Sequence, residues 1–433
     1  MEVILMTLHA WVALIIFLSV IAVSASGLLK TATASLIGAS LMAAVGIVSP
    51  EEAVAAIDHN TIGLLTGMMI VVGVLSKSGL FQFLAVRSIK ITGGRPMLIF
   101  WIVSLLTAVL SAFLDNVTTV LLVTPVVLSL CELIALDPLP FIIIELFASN
   151  IGGTATLIGD PPNMIVSSVA GFSFNDFLVT AAPVAILVLC AVTAYTGMYY
   201  KDRMKFNADA AKQLADVDER KLIVNKPLMI KSVVVMVCVL IGFTAHSIVH
   251  IEPSVVALAA AGILLALSLL DEKSIIHDDV EWPTLIYFIS LFIMAGGLKA
   301  AGVITSAADV LVSLMAGRPI VMILGTLWVS GLVCTVINNI AFTAIFVQII
   351  ASMAQEAGID AAPLYWALAF GACLGGNGTY FGAAANAVVV DFAAKEGMHI
   401  TFASFTKAGM KTVFISLLIA SAAILFISRS VWM

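Results

Sequence analysis

Charge is what this chain has least of. Asp, Glu, Lys and Arg make up 11% of its 433 residues, apolar types make up 62%, and the mean hydropathy is +1.16. That is too few charges to clothe a soluble globule of this length. Cysteine is scarce too: Cys131, Cys190, Cys238, Cys334 and Cys373 are singletons without a CxxC pair or a histidine at ligand spacing, which argues against a metal or redox centre. There is no HExxH and no Ser/His/Asp set at plausible depth, and the glycine-rich run 151–159 lacks the lysine of a phosphate-binding loop. An enzyme is therefore not expected, nor a cofactor, nor a nucleic-acid partner. The net charge of −6 adds little, because in a membrane chain the placement of Lys and Arg matters more than their sum.

Apolar runs are what the chain has most of. Residues 10–24, 230–245 and 414–427 approach the roughly 20 apolar residues that cross about 30 Å of hydrocarbon, so an all-α polytopic membrane protein is expected, with the lipid bilayer as its main partner. The first run follows Met1 and Glu2 without a basic leader and is expected to be a retained helix. Five crossings are predicted in each half: 9–26, 31–47, 61–76, 139–170 and 177–199, then 228–247, 254–270, 284–298, 362–395 and 404–427. Between the third and fourth of each set lies another apolar stretch, 97–134 or 320–357, interrupted by polar residues. Each is either two crossings or one re-entrant hairpin, and either choice leaves the number of crossings odd.

Residues 61–166 recur without a gap at 284–389, displaced by 223 positions (339 − 116, 386 − 163). The matches are not apolar filler. They include Gly79 and Gly302, Arg95-Pro96 and Arg318-Pro319, Asn116 and Asn339, Gly152-Gly153 and Gly375-Gly376, Thr156 and Thr379, and Asn163 and Asn386. An odd unit followed by a linker that stays on one side starts its second copy from the opposite side, so two inverted-topology repeats are expected, 1–200 and 228–433. The linker 201–227, with Lys231 just beyond it, holds Lys201, Arg203, Lys205, Lys212, Arg220, Lys221 and Lys226, which places it in the cytoplasm and both termini outside a cell (inner) membrane. Lys30, Lys77, Arg87, Lys90 and Arg95 agree with this orientation, whereas Lys299, Arg318 and Arg429 run against it. Residues 80–92 read as a short amphipathic helix at the cytoplasmic interface.

Helix breaks at membrane depth are tolerated only where protein or a water-filled cavity satisfies the freed backbone groups. Four are expected. Asp115, Asn116, Thr118 and Thr119 interrupt the stretch 97–134, and Asn338 and Asn339 interrupt 320–357. The crossing 139–170 is broken around Asn150, Gly152, Gly153, Thr156, Asp160 and Asn163, and 362–395 around Gly375, Gly376, Asn377, Thr379 and Asn386. The glycines let the chain leave helical geometry, and Pro161-Pro162 can open a new half-helix. Half-helix ends then aim partial charges at the centre, where amide and hydroxyl oxygens suit a hard cation and N–H groups an anion. Asp115 and Asp160 are the leading acids, because a carboxylate at membrane depth marks an ion or proton pathway, and together they are the candidate ligands of a transported Na⁺. Asp160, just before two prolines, also suits a plain capping role. Both acids lie in the first half, where Asn338 and Ala383 are their second-half counterparts.

The runs SAFLDNVTTVLLVTPV (111–126) and SNIGGTATLIGDPPNMIV (149–166) resemble the hallmark segments of the ion transporter superfamily with its citrate transporter-like domain. The likeness is to the branch of arsenite permeases and NhaD-type sodium/proton antiporters, and most closely to P-protein-like permeases. It implies two re-entrant hairpins meeting two unwound helices, a scaffold domain and elevator-like alternating access. Through that scaffold, dicarboxylate carriers elsewhere in the superfamily often form dimers, so a homodimer is a candidate partner here. Dicarboxylate carriers of the superfamily place Ser-Asn-Thr at both tips, whereas this chain has Asp115-Asn116-Val117 and Asn338-Asn339-Ile340. A secondary transporter of a small inorganic ion is expected, with proton-coupled Na⁺ exchange first. Arsenite or antimonite efflux, with an ATPase subunit as partner, comes second. An organic or inorganic anion carrier and an ion channel remain open.

Overall fold

The structure, a computed structural model, describes residues 8–26, 28–204, 218–249, 251–315, 318–395 and 398–432, without the side chains of 25, 246–248, 395 and 429–432. The linker residues Lys205 and Lys212, the N-terminal Met1 and Glu2, and the Arg429 side chain lie outside it. The described residues form helices and no strand. In chain order they are α1 (Leu8–Ala25), α2 (Thr31–Ala44), α3 (Pro50–Ala56), α4 (His59–Ser76), α5 (Leu80–Lys90), α6 (Pro96–Ser111), α7 (Asn116–Leu133), α8 (Leu139–Thr154), α9 (Pro161–Ala170) and α10 (Phe174–Arg203). Then come α11 (Lys226–Val249), α12 (Pro253–Ser268), α13 (Trp282–Ala300), α14 (Val303–Leu314), α15 (Pro319–Val333), α16 (Asn339–Ala357), α17 (Ala362–Gly375), α18 (Ala384–Lys395) and α19 (Phe402–Trp432). Proline sits in the first turn of α6, α8, α9, α12, α13, α15 and α17, where its missing N–H costs no bond, so these positions start helices rather than break them.

The 223-residue displacement extends well beyond 61–166. Helices α1, α2 and α4 to α9 each have a partner, α11, α12 and α13 to α18, whose bounds lie within a few residues of that shift. Among the described residues, seven helices are long and apolar enough to cross a membrane by themselves, and α1, α2, α6, α8, α12, α17 and α18 are shorter apolar helices. Five of the ten predicted crossings are in this set (α4, α10, α11, α13 and α19), with α7 and α16 beside them; α1, α2 and α12 fall short of the length, and α8–α9 and α17–α18 are paths cut in two by their glycine-rich breaks. The stretches 97–134 and 320–357 each fold as two helices, α6 and α7 or α15 and α16, joined by a short turn beside which Asn116 and Asn339 are buried.

The two copies interlock crosswise. Helix α4 packs on α12 and α13 on α2, α7 packs on α18 and α16 on α9, and within each copy α6 packs on α8 and α15 on α17. Equivalent helices α4 and α13 run in opposite directions. Lys77, at the end of α4, pairs with Asp279 at 3.0 Å just before α13 begins, while Lys299, near the end of α13, shares a cavity with Asp58 just before α4 begins. The elbow after each of these helices needs a left-handed residue, and Gly79 (φ 82°) and Gly302 (φ 78°) supply it.

The two elbows differ in their surroundings. The linker's Val224 N–H donates to Ser78 O at 3.0 Å, and a Cβ on Gly79 would fall 1.9 Å from Leu222 O, whereas one on Gly302 would have nothing within 4 Å. Glu219 of the linker accepts from Lys90 at 2.9 Å and Arg87 at 2.7 Å, and these cations, Lys90 first, hold its carboxyl down at about 2. The amphipathic α5 is thus tied to the linker by its charged face.

Candidate functional site

Close helix approach builds the centre. A Cβ on Gly152 would lie 2.2 Å from Ala108 O, and one on Gly375 would lie 2.3 Å from Gly331 O, the same contact in each copy. Only glycine lets α8 and α17 touch the backbones of α6 and α15 there. Gly153 and Gly376 follow at the turns out of these helices, where a Cβ would meet Asn116 Oδ1 at 2.6 Å and Ala383 Cβ at 3.3 Å respectively.

The carbonyls freed at the two breaks are met by one asparagine each. Asn163 Nδ2 donates to Gly153 O (3.0 Å), Thr154 O (3.3 Å) and Thr156 O (2.8 Å), and Asn386 Nδ2 donates to Gly376 O (2.8 Å) and Thr379 O (3.1 Å). Thr156 and Thr379 tie the breaks to the hairpins through hydroxyl bonds to Ala112 O and Thr335 O. A chain of amides then crosses between copies: Asn116 Nδ2 donates to Asn150 Oδ1 at 3.2 Å, and Asn150 Nδ2 donates to Asn377 Oδ1 at 2.8 Å and Asn386 Oδ1 at 3.2 Å. All of these amides are buried, so each bond replaces one that water cannot make.

In front of this frame lies a cavity of about 490 Å³, and Asp115, Asn116, Asp160, Asn338 and Asn339 line it. These five expected residues come together at one surface. The others, Asn150, Gly152, Gly153, Thr156, Asn163, Gly375, Gly376, Asn377, Thr379 and Asn386, lie behind as the frame, and Thr118 and Thr119 sit within the first turn of α7, off the cavity. The first residues of α7, α9, α16 and α18 all reach the cavity, so four helix N-termini meet there.

Capping falls on a different acid from the one the sequence suggests. Asp115 Oδ1 accepts from Thr118 N–H at 2.9 Å and caps α7, as Asn338 Oδ1 accepts from Ile340 N–H at 3.0 Å for α16. Asp160 precedes α9 with extended backbone (φ −140°, ψ 132°) and makes no capping bond. It is 2% exposed, its Oδ2 accepts a long 3.4 Å bond from Asn339 Nδ2, and Cys373 and Asn116 are its other polar neighbours. Its carboxyl is available to a ligand.

Sequence reasoning missed Lys30, Glu281, Thr284 and Tyr287, which also line the cavity. Glu281 Oε2 accepts from Thr284 Oγ1 at 2.9 Å. The displacement places Glu281 at the level of Asp58 and Thr284 at the level of Thr61, and Thr61 Oγ1 likewise donates to Asp58 Oδ2 at 2.7 Å. A second cavity of about 430 Å³, lined by Ile337, Asn338 and Phe381, adjoins the first at Asn338 and Ala383, whereas the matching space at Leu114, Asp115 and Ile158 holds about 10 Å³. The two copies thus differ in the space beside their hairpin tips.

A chain whose described residues form seven membrane-length helices, with helix ends and asparagines from both copies meeting at one cavity, has the build of a polytopic membrane transporter. The chain belongs to the citrate transporter family, whose model matches residues 11–371. It is 38% identical to a 46 kDa membrane protein of Mycobacterium leprae over 94% of this chain and 96% of that one. It is 32% identical to the P protein of Homo sapiens over 83% of this chain, but over only 52% of that longer protein. Among solved structures, the YdaH transporter of Alcanivorax borkumensis is similar over 98% of this chain and 99% of that one, with a TM-score of 0.62 at 15% identity, a likeness of fold alone.

Proposed function

We propose that this transporter exchanges a small cation, Na⁺ first, against protons by alternating access, with Asp160 and Asp115 as the coupling carboxylates. The observation that carries the reading is Asp160: a buried acid at a helix break, freed from capping, on the wall of a cavity where Asp115 and Glu281 also stand. A buried carboxylate without a fixed counter-charge is costly, and a cation or a proton relieves that cost in turn. The unequal spaces beside the two hairpin tips support alternation between two faces. The mouth holds Lys30, on the side that the basic loops assign to the cytoplasm, so the conformation reads as inward-facing. The antiparallel course of α4 and α13 supports inverted repeats, and the hairpins suit an elevator-like movement against a scaffold.

A second reading rests on the other half of the cavity. The first copy's helix ends already carry Asp115 and Asp160, but those of α16 and α18 face the same space with Asn338 and Ala383 instead. Uncompensated N-termini attract anions, and the family's description names citrate. Reconstituted protein separates the readings by measuring Na⁺-driven proton movement beside citrate and arsenite flux. In the proposed function, Asp160→Asn and Asp115→Asn abolish or uncouple the proton movement. Undiminished coupling in both variants refutes it. Citrate uptake without a Na⁺ response would establish the second reading, and arsenite flux alone an arsenite permease.

A further inference from the structure

Two of the cavities on this molecule share a design. The central cavity opens beside Glu281, whose carboxylate is held by Thr284. A separate cavity of about 460 Å³ contains Asp58, whose carboxylate is held by Thr61. Asp58 and Glu281 are 223 positions apart, as are the two threonines, so these are the same feature in the two copies.

They stand at opposite ends of the molecule. Asp58 immediately precedes α4, and the Lys77–Asp279 and Lys77–Ser274 bonds bring the segment leading to Glu281 to the other end of that helix. An 18-residue helix spans about 27 Å, most of a bilayer's hydrocarbon thickness. The Glu281 cavity reaches both hairpin tips, while the Asp58 cavity reaches neither.

We infer that Asp58 and Glu281 are paired mouth carboxylates, each recruiting the transported cation on its own face: Glu281 on the side open here, Asp58 on the opposite side when the alternation reverses. The inference rests on the cation reading above. Each mouth also holds one lysine, Lys30 or Lys299, but both lysines are exposed whereas the carboxylates are half-buried. Water screens the lysines more than it screens the acids, which leaves each mouth a net attraction for cations. The hydroxyl bond from the threonine fixes the direction of each carboxylate without neutralising it.

The test uses the full chain in right-side-out and everted membrane vesicles, with Na⁺-driven collapse of a pH gradient as the readout. Glu281→Gln raises the half-saturating Na⁺ concentration about tenfold, the factor carried by 1.4 kcal/mol, when the Glu281 face meets the added Na⁺, and changes it less than about twofold from the other face. Asp58→Asn shows the reverse. Both variants keep their folds, because asparagine still offers an oxygen to the Asn60 and Thr61 N–H groups that Asp58 caps, and Glu281 makes no capping bond. Equal effects from both faces, or none from either, overturn the inference while leaving the cation reading intact. A lowered half-saturation for citrate in Glu281→Gln, or a wild type without a Na⁺ response, overturns the cation reading itself, and the inference falls with it.

Discussion

Replacing Asn163 separates a brace from a space-filler. Its amide nitrogen lies 3.0, 3.3 and 2.8 Å from the carbonyls of Gly153, Thr154 and Thr156, and the residue is wholly buried. An NH₂ group has two protons, so two of these three bonds are fully made at any moment. Asn163→Ala leaves two buried carbonyls unpartnered at about 1–3 kcal/mol each, so a loss of about 2–6 kcal/mol is expected. Asn386→Ala, which removes the matching bonds to Gly376 O and Thr379 O, belongs in the same range. Asn163→Asp is the informative comparison. It keeps the shape of asparagine but turns an acceptor towards three carbonyl oxygens, so it is expected to be less stable than the alanine variant. Denaturant or thermal unfolding in detergent measures the order. If Asn163→Asp proves milder than Asn163→Ala, volume rather than donated hydrogen bonds holds the break together, and the account of the frame is wrong.

Three further outcomes follow from the same geometry. Asp115→Ala loses the α7 cap at about 1 kcal/mol, whereas Asp115→Asn melts with wild type because Asn338 already caps α16 in that way; a melting curve in detergent distinguishes them. Gly152→Ala and Gly375→Ala each force a Cβ into the neighbouring helix backbone and destabilise by about 1–3 kcal/mol, with transport falling in parallel because α8 and α17 carry Asn150 and the break into Asn377; unchanged flux in either variant contradicts the close packing. Glu219 has its carboxyl lowered from 4.5 to about 2, so its hold on Lys90 and Arg87 is complete above about pH 4.5 and fades as pH falls towards 2. Hydrogen exchange at the Val224 amide, corrected for the intrinsic rate, should lose protection over that interval, and Glu219→Gln should lack the pH dependence.

Much of this organisation is legible in the sequence because the fold's demands fall on residues with few substitutes. A glycine touching a foreign backbone, an asparagine holding several carbonyls and a proline opening a helix leave identical letters in both copies. Gly152 and Gly375, which interlock with α6 and α15, and Asn163 and Asn386, which share one role, are such identities. The cavity wall is less legible. Lys30, Glu281 and Tyr287 come from segments far apart in the chain, and Glu281 matches an aspartate rather than another glutamate. The recurrence read from residues 61–166 begins three positions after Asp58, so the acid pair fell just outside it. The capping roles misled for a local reason. Asp160 stands before two prolines and looks like a helix cap, but its extended backbone turns the carboxyl towards the cavity, while Asp115 takes the capping geometry.

Joining the two copies in one polypeptide has its own chemical consequence. In a two-fold symmetric pair of separate subunits, any acid near the axis is present twice, and two anions would confront each other in a dry interior. Fusion lifts that constraint: Asp160 stands across from Ala383, and Asp115 across from Asn338. An odd number of charges, and with it a directional electric field through the middle of the molecule, is open to a tandem gene product and closed to a symmetric assembly of its halves.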